Sequence, residues 1–239
     1  MVNCNGLGIR RDFEPTLTNA QLLEIKRALA QNLSGGVIVE VATVEQACLA
    51  EQAGAVAVMA LGRDLDRIEA ILQAVRVPVM AQVHSNRVAE ALTLQEIGVG
   101  FIEEKDGDGF TDKGLLTVPV ISHAQTAAQA LHQIEAGTSM LRTNTLHLVK
   151  NLVEEVTSLN DDDLTCYAQK VTVSRAIVEE IRHAGRLPAA VFLGYETGID
   201  ARHSALVRRS GIDGIFAHIG IFNGSDPASA ITEIVSAIR

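Results

Sequence analysis

The feature that most constrains the fold is a regular alternation of short apolar runs with amphipathic helical stretches. GGVIVEVA (35–42) leads into TVEQACLAEQAG (43–54), AVAVMAL (55–61) follows, and the pattern continues to the last helical stretch. Each helix must return the chain to the start of the next strand, so the strands are predicted to be parallel. Eight such units within 239 residues predict a single α/β domain, a closed (β/α)8 TIM barrel. We expect residues 1–18 to form an N-terminal arm and residues 19–239 the barrel.

The alternation is irregular at three places. A helix is predicted before the first strand, from residue 19 to residue 33. The fourth unit, KDGDGFTDKGLL (105–116), has room for only a short helix. An extra helix is predicted after the sixth strand, within residues 160–185, and three aspartates (161–163) open it. Carboxylates suit the positive end of a helix, so a helix cap is favoured there over an acidic metal site.

Composition excludes several classes of protein. Hydrophobic residues make up 47% of the chain and charged residues 21%, which is typical of a globular domain with a large core. A net charge of −9 without a basic stripe argues against binding to nucleic acid or to an anionic membrane. No apolar run reaches the length of a membrane span, and no signal peptide is recognisable, so we expect a cytoplasmic protein. The cysteines (Cys4, Cys48 and Cys166) fit neither a metal motif nor a disulfide framework.

Polar side chains follow the predicted strands at their C-terminal ends, where barrels of this kind carry their chemistry. The candidate catalytic positions are Glu40, Gln82, Glu103, Lys105, His123 and Asn144. The candidate ligand-binding positions are His84, Arg142, Glu196 and His218. Carboxylates and imidazoles support acid–base catalysis, and a lysine supports imine chemistry.

Two of these features have alternative interpretations. Three strand-end histidines (His84, His123 and His218) are compatible with a zinc site, but such histidines more often make hydrogen bonds. We therefore predict no metal and no cofactor. The segments GSD (224–226) and GID (198–200) each precede a helix, where backbone N–H groups can hold a phosphate. An ordinary N-cap by Ser225 or Asp200 explains them equally well.

Several segments together resemble one known family. They are residues 25–61, VPVMAQ (77–82), GVGFIEE (98–104), AGTSMLRT (136–143) and SGIDGIFAHIGIF (210–222). They are similar to the synthase subunit of the glutamine-dependent pyridoxal 5′-phosphate synthase, the PdxS/SNZ family. The resemblance implies a homo-oligomeric barrel that builds the cofactor from a pentose phosphate, a triose phosphate and ammonia from a partner glutaminase. It also implies two imine-forming lysines, at the ends of the third and sixth strands.

The positions that match these lysines are Gln82 and Asn144. An amide nitrogen is delocalised into its carbonyl group and cannot form the imine. The resemblance further implies that Glu40 and Glu103 replace two aspartates. It also implies that the phosphate-binding glycines are missing from residues 145–150 and largely missing near residues 194–198 and 218–219. A relocated imine lysine at position 105 or 150 is the alternative to a solvated side chain at those positions.

These observations support three hypotheses about function. The first is a non-catalytic structural or regulatory homologue in vitamin B6 metabolism, whose partners are a lysine-bearing paralogue or a glutaminase subunit. The second is a repurposed lyase or isomerase that acts on a sugar phosphate or another small carbonyl compound through its glutamate and histidine side chains. The third, an active pyridoxal phosphate synthase, requires a new imine lysine and new phosphate contacts together.

Overall fold

The predicted barrel is confirmed in the computed structural model of the chain. The structure describes residues 17–84, 87–105, 113–194, 204, 206–207 and 209–238. Eight parallel strands hydrogen-bond in sequence order, and β8 pairs with β1, so the sheet closes. The strands are β1 (Val37–Val41), β2 (Ala57–Ala60), β3 (Val79–Val83), β4 (Phe101–Glu104), β5 (Val120–His123), β6 (Met140–Thr143), β7 (Ala190–Gly194) and β8 (Gly214–Ala217).

Helices surround the barrel, as the alternation predicts. Within the described residues they are α1 (Asn19–Gln31), α2 (Val44–Gln52), α3 (Leu65–Ala74), α4 (Val88–Glu96), α5 (Ala127–Glu135), α6 (Leu148–Ser158), α7 (Asp161–Val171), α8 (Arg175–Ala184) and α9 (Pro227–Ile238). The short 3-10 helices are η1 (Lys113–Leu115) and η2 (Ile219–Asn223). Among these described segments, none is both long enough and apolar enough to cross a membrane.

The region between β6 and β7 divides further than the single extra helix predicted from the sequence. Asn160 caps α7 by accepting a hydrogen bond from the Asp163 N–H group, so the three aspartates form the first turn as expected. The helix ends at Thr172, which adopts a left-handed conformation with φ of 59°. Residues other than glycine rarely adopt this conformation, so the helical pattern is interrupted there and α8 begins as a separate helix.

The barrel interior and the layer between sheet and helices are two separate apolar clusters, because alternate strand side chains point to opposite faces. Each of the eight strands contributes one large side chain to the interior: Ile38, Met59, Met80, Phe101, Ile121, Met140, Phe192 and Phe216. Phe192 and Phe216 meet edge to face with ring centroids 5.9 Å apart. Ala30 and Leu33 pack against this interior cluster, so α1 and the turn after it close the N-terminal end of the barrel.

A buried ion pair covers the outside of β4 and β5. In a regular barrel, the helix that follows the fourth strand would pack there. The Nζ of Lys113, in η1, donates to Glu104 Oε2 at 2.7 Å, and both side chains are almost fully buried. The Ser122 hydroxyl donates to the same oxygen at 2.9 Å. Lys26 of α1 donates through Nζ to the carbonyl oxygens of Lys113 and Leu116, which ties this segment to the N-terminal helix. A polar network thus replaces apolar helix packing in the fourth unit.

Gly214 is required by the packing of the barrel interior. A Cβ atom added there would lie 2.1 Å from Cε1 of the fully buried Phe192. We expect Gly214→Ala to lower the free energy of unfolding by about 1–3 kcal/mol, because the ring has no space into which to move. Gly100→Ala is the matched control, since its Cβ would meet neighbours at 3.6 Å or more. Urea unfolding of both variants tests this expectation, and equal losses of stability would contradict it.

Candidate functional site

The inward-pointing side chains become polar at the C-terminal ends of the strands. Alternation along each strand places five predicted site residues in one layer above the apolar interior: Glu40 of β1, Gln82 of β3, Glu103 of β4, His123 of β5 and Arg142 of β6. Strand register brings Gln82 opposite Glu103 and His123 opposite Arg142. The structure therefore gathers five of the ten sequence-predicted candidates around one centre.

Arg142 is the centre of this layer. Its Nη1 donates to Glu103 Oε1 at 3.0 Å, and its Nη2 donates to Glu40 Oε1 at 2.6 Å. The guanidinium also lies over the ring of Phe216, 4.3 Å from its centroid. Gly194 leaves the space for this side chain, because a Cβ there would lie 2.7 Å from Arg142 Nε. The arginine thus bridges two acids on strands far apart in the sequence, and it fills the centre of the barrel mouth.

Glu103 is fully buried, and its carboxylate accepts hydrogen bonds from three side chains. Besides Arg142, Gln82 Nε2 donates to Oε2 at 2.5 Å, and His123 Nε2 lies 3.1 Å from Oε1. Since a carboxylate only accepts, the proton of this contact lies on His123 Nε2. Burial alone would raise the pKa of Glu103, but the His123 hydrogen bond, the charges of Arg142 and His123, and the Gln82 hydrogen bond together lower it to about 2. Glu103 is therefore a carboxylate at neutral pH.

Glu40 and His218 accept hydrogen bonds from backbone N–H groups that follow β8. The Ile219 N–H group donates to Glu40 Oε2 at 3.3 Å, and the Gly220 N–H group donates to His218 Nδ1 at 3.0 Å. Because Nδ1 accepts a hydrogen bond, the proton of the neutral ring lies on Nε2, which is 4.0 Å from Glu40 Oε2. These amides at the start of η2 are thus occupied by side chains of the protein itself.

Asn144 follows β6 and is exposed, outside the buried network. Its backbone N–H donates to Gln125 Oε1 at 2.9 Å, and its Oδ1 accepts from the Thr145 hydroxyl at 3.2 Å. Gln125 fixes the end of β6 and was missed by the sequence analysis, because a glutamine after a strand gives no local signal of such a role. Lys150, in α6, is half exposed and lies 3.8 Å from Glu154.

The remaining candidates lie at one side of the mouth or outside the described residues. His84 and Lys105 line a cleft at the ends of β3 and β4, together with Arg63, which the sequence analysis did not single out. Glu196 and the GID segment (198–200) fall outside the described residues. Ser225 was predicted as the N-cap of the last helix, and this prediction is wrong. Asp226 caps the helix instead, because its Oδ1 accepts a hydrogen bond from the Ser229 N–H at 3.1 Å. Within the described part of the chain, no three His, Cys, Asp or Glu side chains converge as a metal site.

The Arg142 bridge is expected to dominate the stability of this layer. Arg142→Met leaves Glu40 and Glu103 buried without their counter-ion, which costs about 3–5 kcal/mol of unfolding free energy. The control is Arg175→Met, which removes an exposed pair with Glu179 at 2.7 Å and should cost less than about 1 kcal/mol. Chemical denaturation at neutral pH measures both variants. If Arg142→Met lost as little unfolding free energy as Arg175→Met, the bridging role of Arg142 would be contradicted.

The low pKa of Glu103 predicts that the stability of the protein depends on pH. Its pKa is about 2 in the folded state against 4.5 ordinarily, so its stabilising contribution is complete above pH 4.5 and is lost as the pH falls toward 2. Glu103→Gln removes this contribution, which is on the order of a few kcal/mol. We expect the stability gap between the wild type and this variant to narrow as the pH falls through this range. A difference in stability between the two proteins that does not change with pH would contradict the low pKa of Glu103.

A comparison with protein families covers four of the five segments that carry the sequence resemblance. The model of the SOR/SNZ family matches residues 22–194, well over half of the chain. The chain is 34% identical to a probable pyridoxal 5′-phosphate synthase subunit of Dictyostelium discoideum, over 92% of this chain and 83% of the relative. It is 34% identical to the pyridoxal 5′-phosphate synthase subunit PdxS of Thermotoga maritima, over 90% and 84% of the two chains.

A solved structure supports the fold alone. A thiamine phosphate pyrophosphorylase from Pyrococcus furiosus superposes with a TM-score of 0.61 at 14% identity, covering 88% of this chain and 97% of that one. The likeness in sequence to the synthase subunits is closer and extends through the strands that carry the polar layer. From these matches, the chain belongs to the SOR/SNZ family, as the sequence resemblance predicts.

Proposed function

We propose that this protein is a SOR/SNZ homologue that does not make pyridoxal phosphate by the imine mechanism of its family. It acts instead as a structural or regulatory partner of a lysine-bearing synthase subunit or of its glutaminase. The observation that carries this proposal is the side chain at the end of β3. Gln82 is a carboxamide, and its nitrogen is already bonded to Glu103 Oε2 at 2.5 Å. Imine formation needs a free, deprotonated amine, and an amide cannot supply one.

The phosphate contacts that the resemblance implies support the same conclusion. After β8, the Ile219 and Gly220 N–H groups bind Glu40 and His218, so an incoming phosphate would have to displace a carboxylate and an imidazole. After β6, residues 145–150 contain no glycine, and side chains keep the backbone from approaching a phosphate closely. The Arg142 side chain, which is bonded to Glu40 and Glu103, fills the space between the ends of β6 and β8.

The similarity to synthase subunits supports association rather than isolated action. The relatives are named as subunits, and the match to them extends along about nine-tenths of this chain. A barrel with this degree of likeness can retain assembly surfaces after its chemistry has changed. Mixed oligomers with an authentic subunit are therefore the expected form of the complex, and homo-oligomers are expected in its absence.

Trapping with borohydride tests the loss of imine chemistry. The protein is incubated with ribose 5-phosphate, reduced with borohydride and measured by intact mass spectrometry. We expect no covalent adduct, whereas the PdxS subunit of Thermotoga maritima, treated in parallel, should gain the mass of the sugar phosphate less one oxygen atom, because imine formation releases water and reduction adds two hydrogens. An adduct on this protein would overturn the proposal, and Lys105→Gln and Lys150→Gln would then identify the reacting lysine.

Association is tested separately by native mass spectrometry. This protein is mixed with a lysine-bearing synthase subunit, with a glutaminase subunit, and with both. We expect oligomers that contain both kinds of chain in at least one mixture, and an altered rate of pyridoxal phosphate formation by the authentic subunit. Absence of any mixed species in all three mixtures would contradict the partner role.

A second candidate function is favoured by one specific contact. The side chain of His123 is partly exposed at the mouth, and its Nε2 lies 3.1 Å from the buried Glu103 carboxylate. A carboxylate that orients an imidazole is a common arrangement for proton transfer, here in an isomerase or lyase acting beside the carbonyl of a sugar phosphate. Proton NMR in deuterated water with glyceraldehyde 3-phosphate or ribose 5-phosphate tests it. Exchange that His123→Gln abolishes would support this function, and absence of exchange would exclude it for these two compounds.

A further inference from the structure

The turn between η2 and α9 carries an asparagine directly before a glycine. Asn223 is the last residue of η2, Gly224 follows it, and Asp226 caps α9. The residues from Asn223 to Asp226 are all exposed. The cap explains Asp226, but neither the cap nor the polar layer around Arg142 gives a role to the step from Asn223 to Gly224.

An asparagine before a glycine is chemically labile, because its side-chain amide lies within reach of the next backbone nitrogen. That nitrogen attacks Cγ of the asparagine and forms a C–N bond. A succinimide ring closes as ammonia leaves with the proton of the backbone N–H. Water then opens the ring at either carbonyl, which leaves aspartate or isoaspartate. Glycine favours the ring closure, because it has no Cβ atom to hinder the nitrogen and its backbone is the least restricted.

The structure leaves this reaction open at Asn223. The side chain is exposed and makes no hydrogen bond with the residues that the structure describes. The Gly224 N–H donates to the Ile221 carbonyl at 3.4 Å, which is longer than a normal N–H···O bond, so the attacking nitrogen is weakly held. Asn223 also ends a short 3-10 helix, whose hydrogen-bond geometry is poor, and Gly224 already has extended backbone angles.

A similar step elsewhere in the chain is held in place by the fold. Asp213 precedes Gly214, and an aspartate can close the same ring with loss of water. Its carboxylate accepts hydrogen bonds from the Val191 N–H at 2.7 Å and from Gln31 Nε2 at 3.2 Å, and Gly214 begins β8. The sequence marks both steps as labile, whereas the structure leaves the side chain free only in the step at Asn223.

Two other asparagines at the ends of elements serve as internal comparisons. Asn160 Oδ1 accepts a hydrogen bond from the Asp163 N–H at 2.9 Å, and Asn144 Oδ1 accepts one from the Thr145 hydroxyl at 3.2 Å. Each precedes a residue that has a Cβ atom. Within the described ranges, Asn223 alone combines a following glycine with a side chain that has no hydrogen-bond partner.

We propose that Asn223 is a site of spontaneous modification, at which the folded protein forms aspartate and isoaspartate through a succinimide with Gly224. The change replaces an NH group by an oxygen atom and makes the net charge one unit more negative than −9. Isoaspartate also lengthens the main chain between η2 and α9 by one methylene group. The modified residue belongs to the same short helix whose amides bind Glu40 and His218.

Peptide mapping of the folded full chain tests the proposal. The protein is kept at neutral and at mildly alkaline pH, then digested with trypsin at mildly acidic pH and measured by tandem mass spectrometry. Asn223 is the only asparagine in the tryptic peptide 210–239. This peptide should separate into asparagine, aspartate and isoaspartate forms, and faster at alkaline pH, because the attacking nitrogen must lose its proton. The peptides that contain Asn144 and Asn160 should remain unmodified at these residues.

Gly224→Ala is the matched variant. Its Cβ atom would lie 3.5 Å from the Ile221 carbonyl oxygen, an ordinary contact, and φ of −72° suits alanine, so the melting temperature should stay that of the wild type. Conversion of Asn223 should slow by about tenfold or more, the effect of a steric barrier of about 1.4 kcal/mol. An unchanged rate in this variant would overturn the proposal.

Two further results would also overturn it. Aspartate without isoaspartate would indicate direct hydrolysis of the side chain instead of a succinimide, and an Asn223 as unreactive as Asn144 and Asn160 would show that the turn protects it. None of these results depends on mixed oligomers or on borohydride trapping, so failure here is distinguishable from failure of the proposed function.

Discussion

The upper half of the barrel depends on one interaction, the bridge from Arg142 to Glu40 and Glu103. Two carboxylates at 4% and 0% exposure would repel each other and lose their hydration if nothing compensated them. The planar guanidinium donates one terminal nitrogen to each, and lysine cannot reproduce this geometry. Burial lowers the pKa of Arg142, but the two carboxylates outweigh that effect and raise it, so the bridge stays charged. Gly194 and the Phe216 ring then fix where the guanidinium can lie.

The bridge also decides where a ligand can bind. Since Arg142, Glu40 and Glu103 satisfy one another, the centre of the mouth offers few donors or acceptors to a substrate. Glu40 and His218 further occupy the amides after β8. Among the described residues, a cleft lined by Arg63, His84 and Lys105 lies at the ends of β2, β3 and β4.

Much of the fold could be predicted because the pattern is local: each Val- and Ile-rich strand and each amphipathic helix is visible within about ten residues. The network was predictable only as a set of residues, since strand ends identify Glu40, Glu103 and Arg142 but not their pairing. Period-two alternation does explain why Glu103 points inward while Glu104 points to Lys113. The contacts of Arg63 with Glu90 and of Gln125 with Asn144 join separate strand–helix units, which no local pattern reveals.

The side chain at position 82 connects the family's chemistry to the present network. Glu40, Glu103 and Arg142 together carry one net negative charge, so a lysine at position 82 would find a carboxylate ready to hold it as an ammonium ion. An ammonium has no lone pair for a carbonyl, and an imine lysine beside Glu103 would need that carboxylate to turn away. Gln82 donates the same hydrogen bond without a charge and without reactivity. Its presence therefore fits a layer in which Glu103 stays fixed by Arg142 and His123, as the proposal of a homologue without imine chemistry requires.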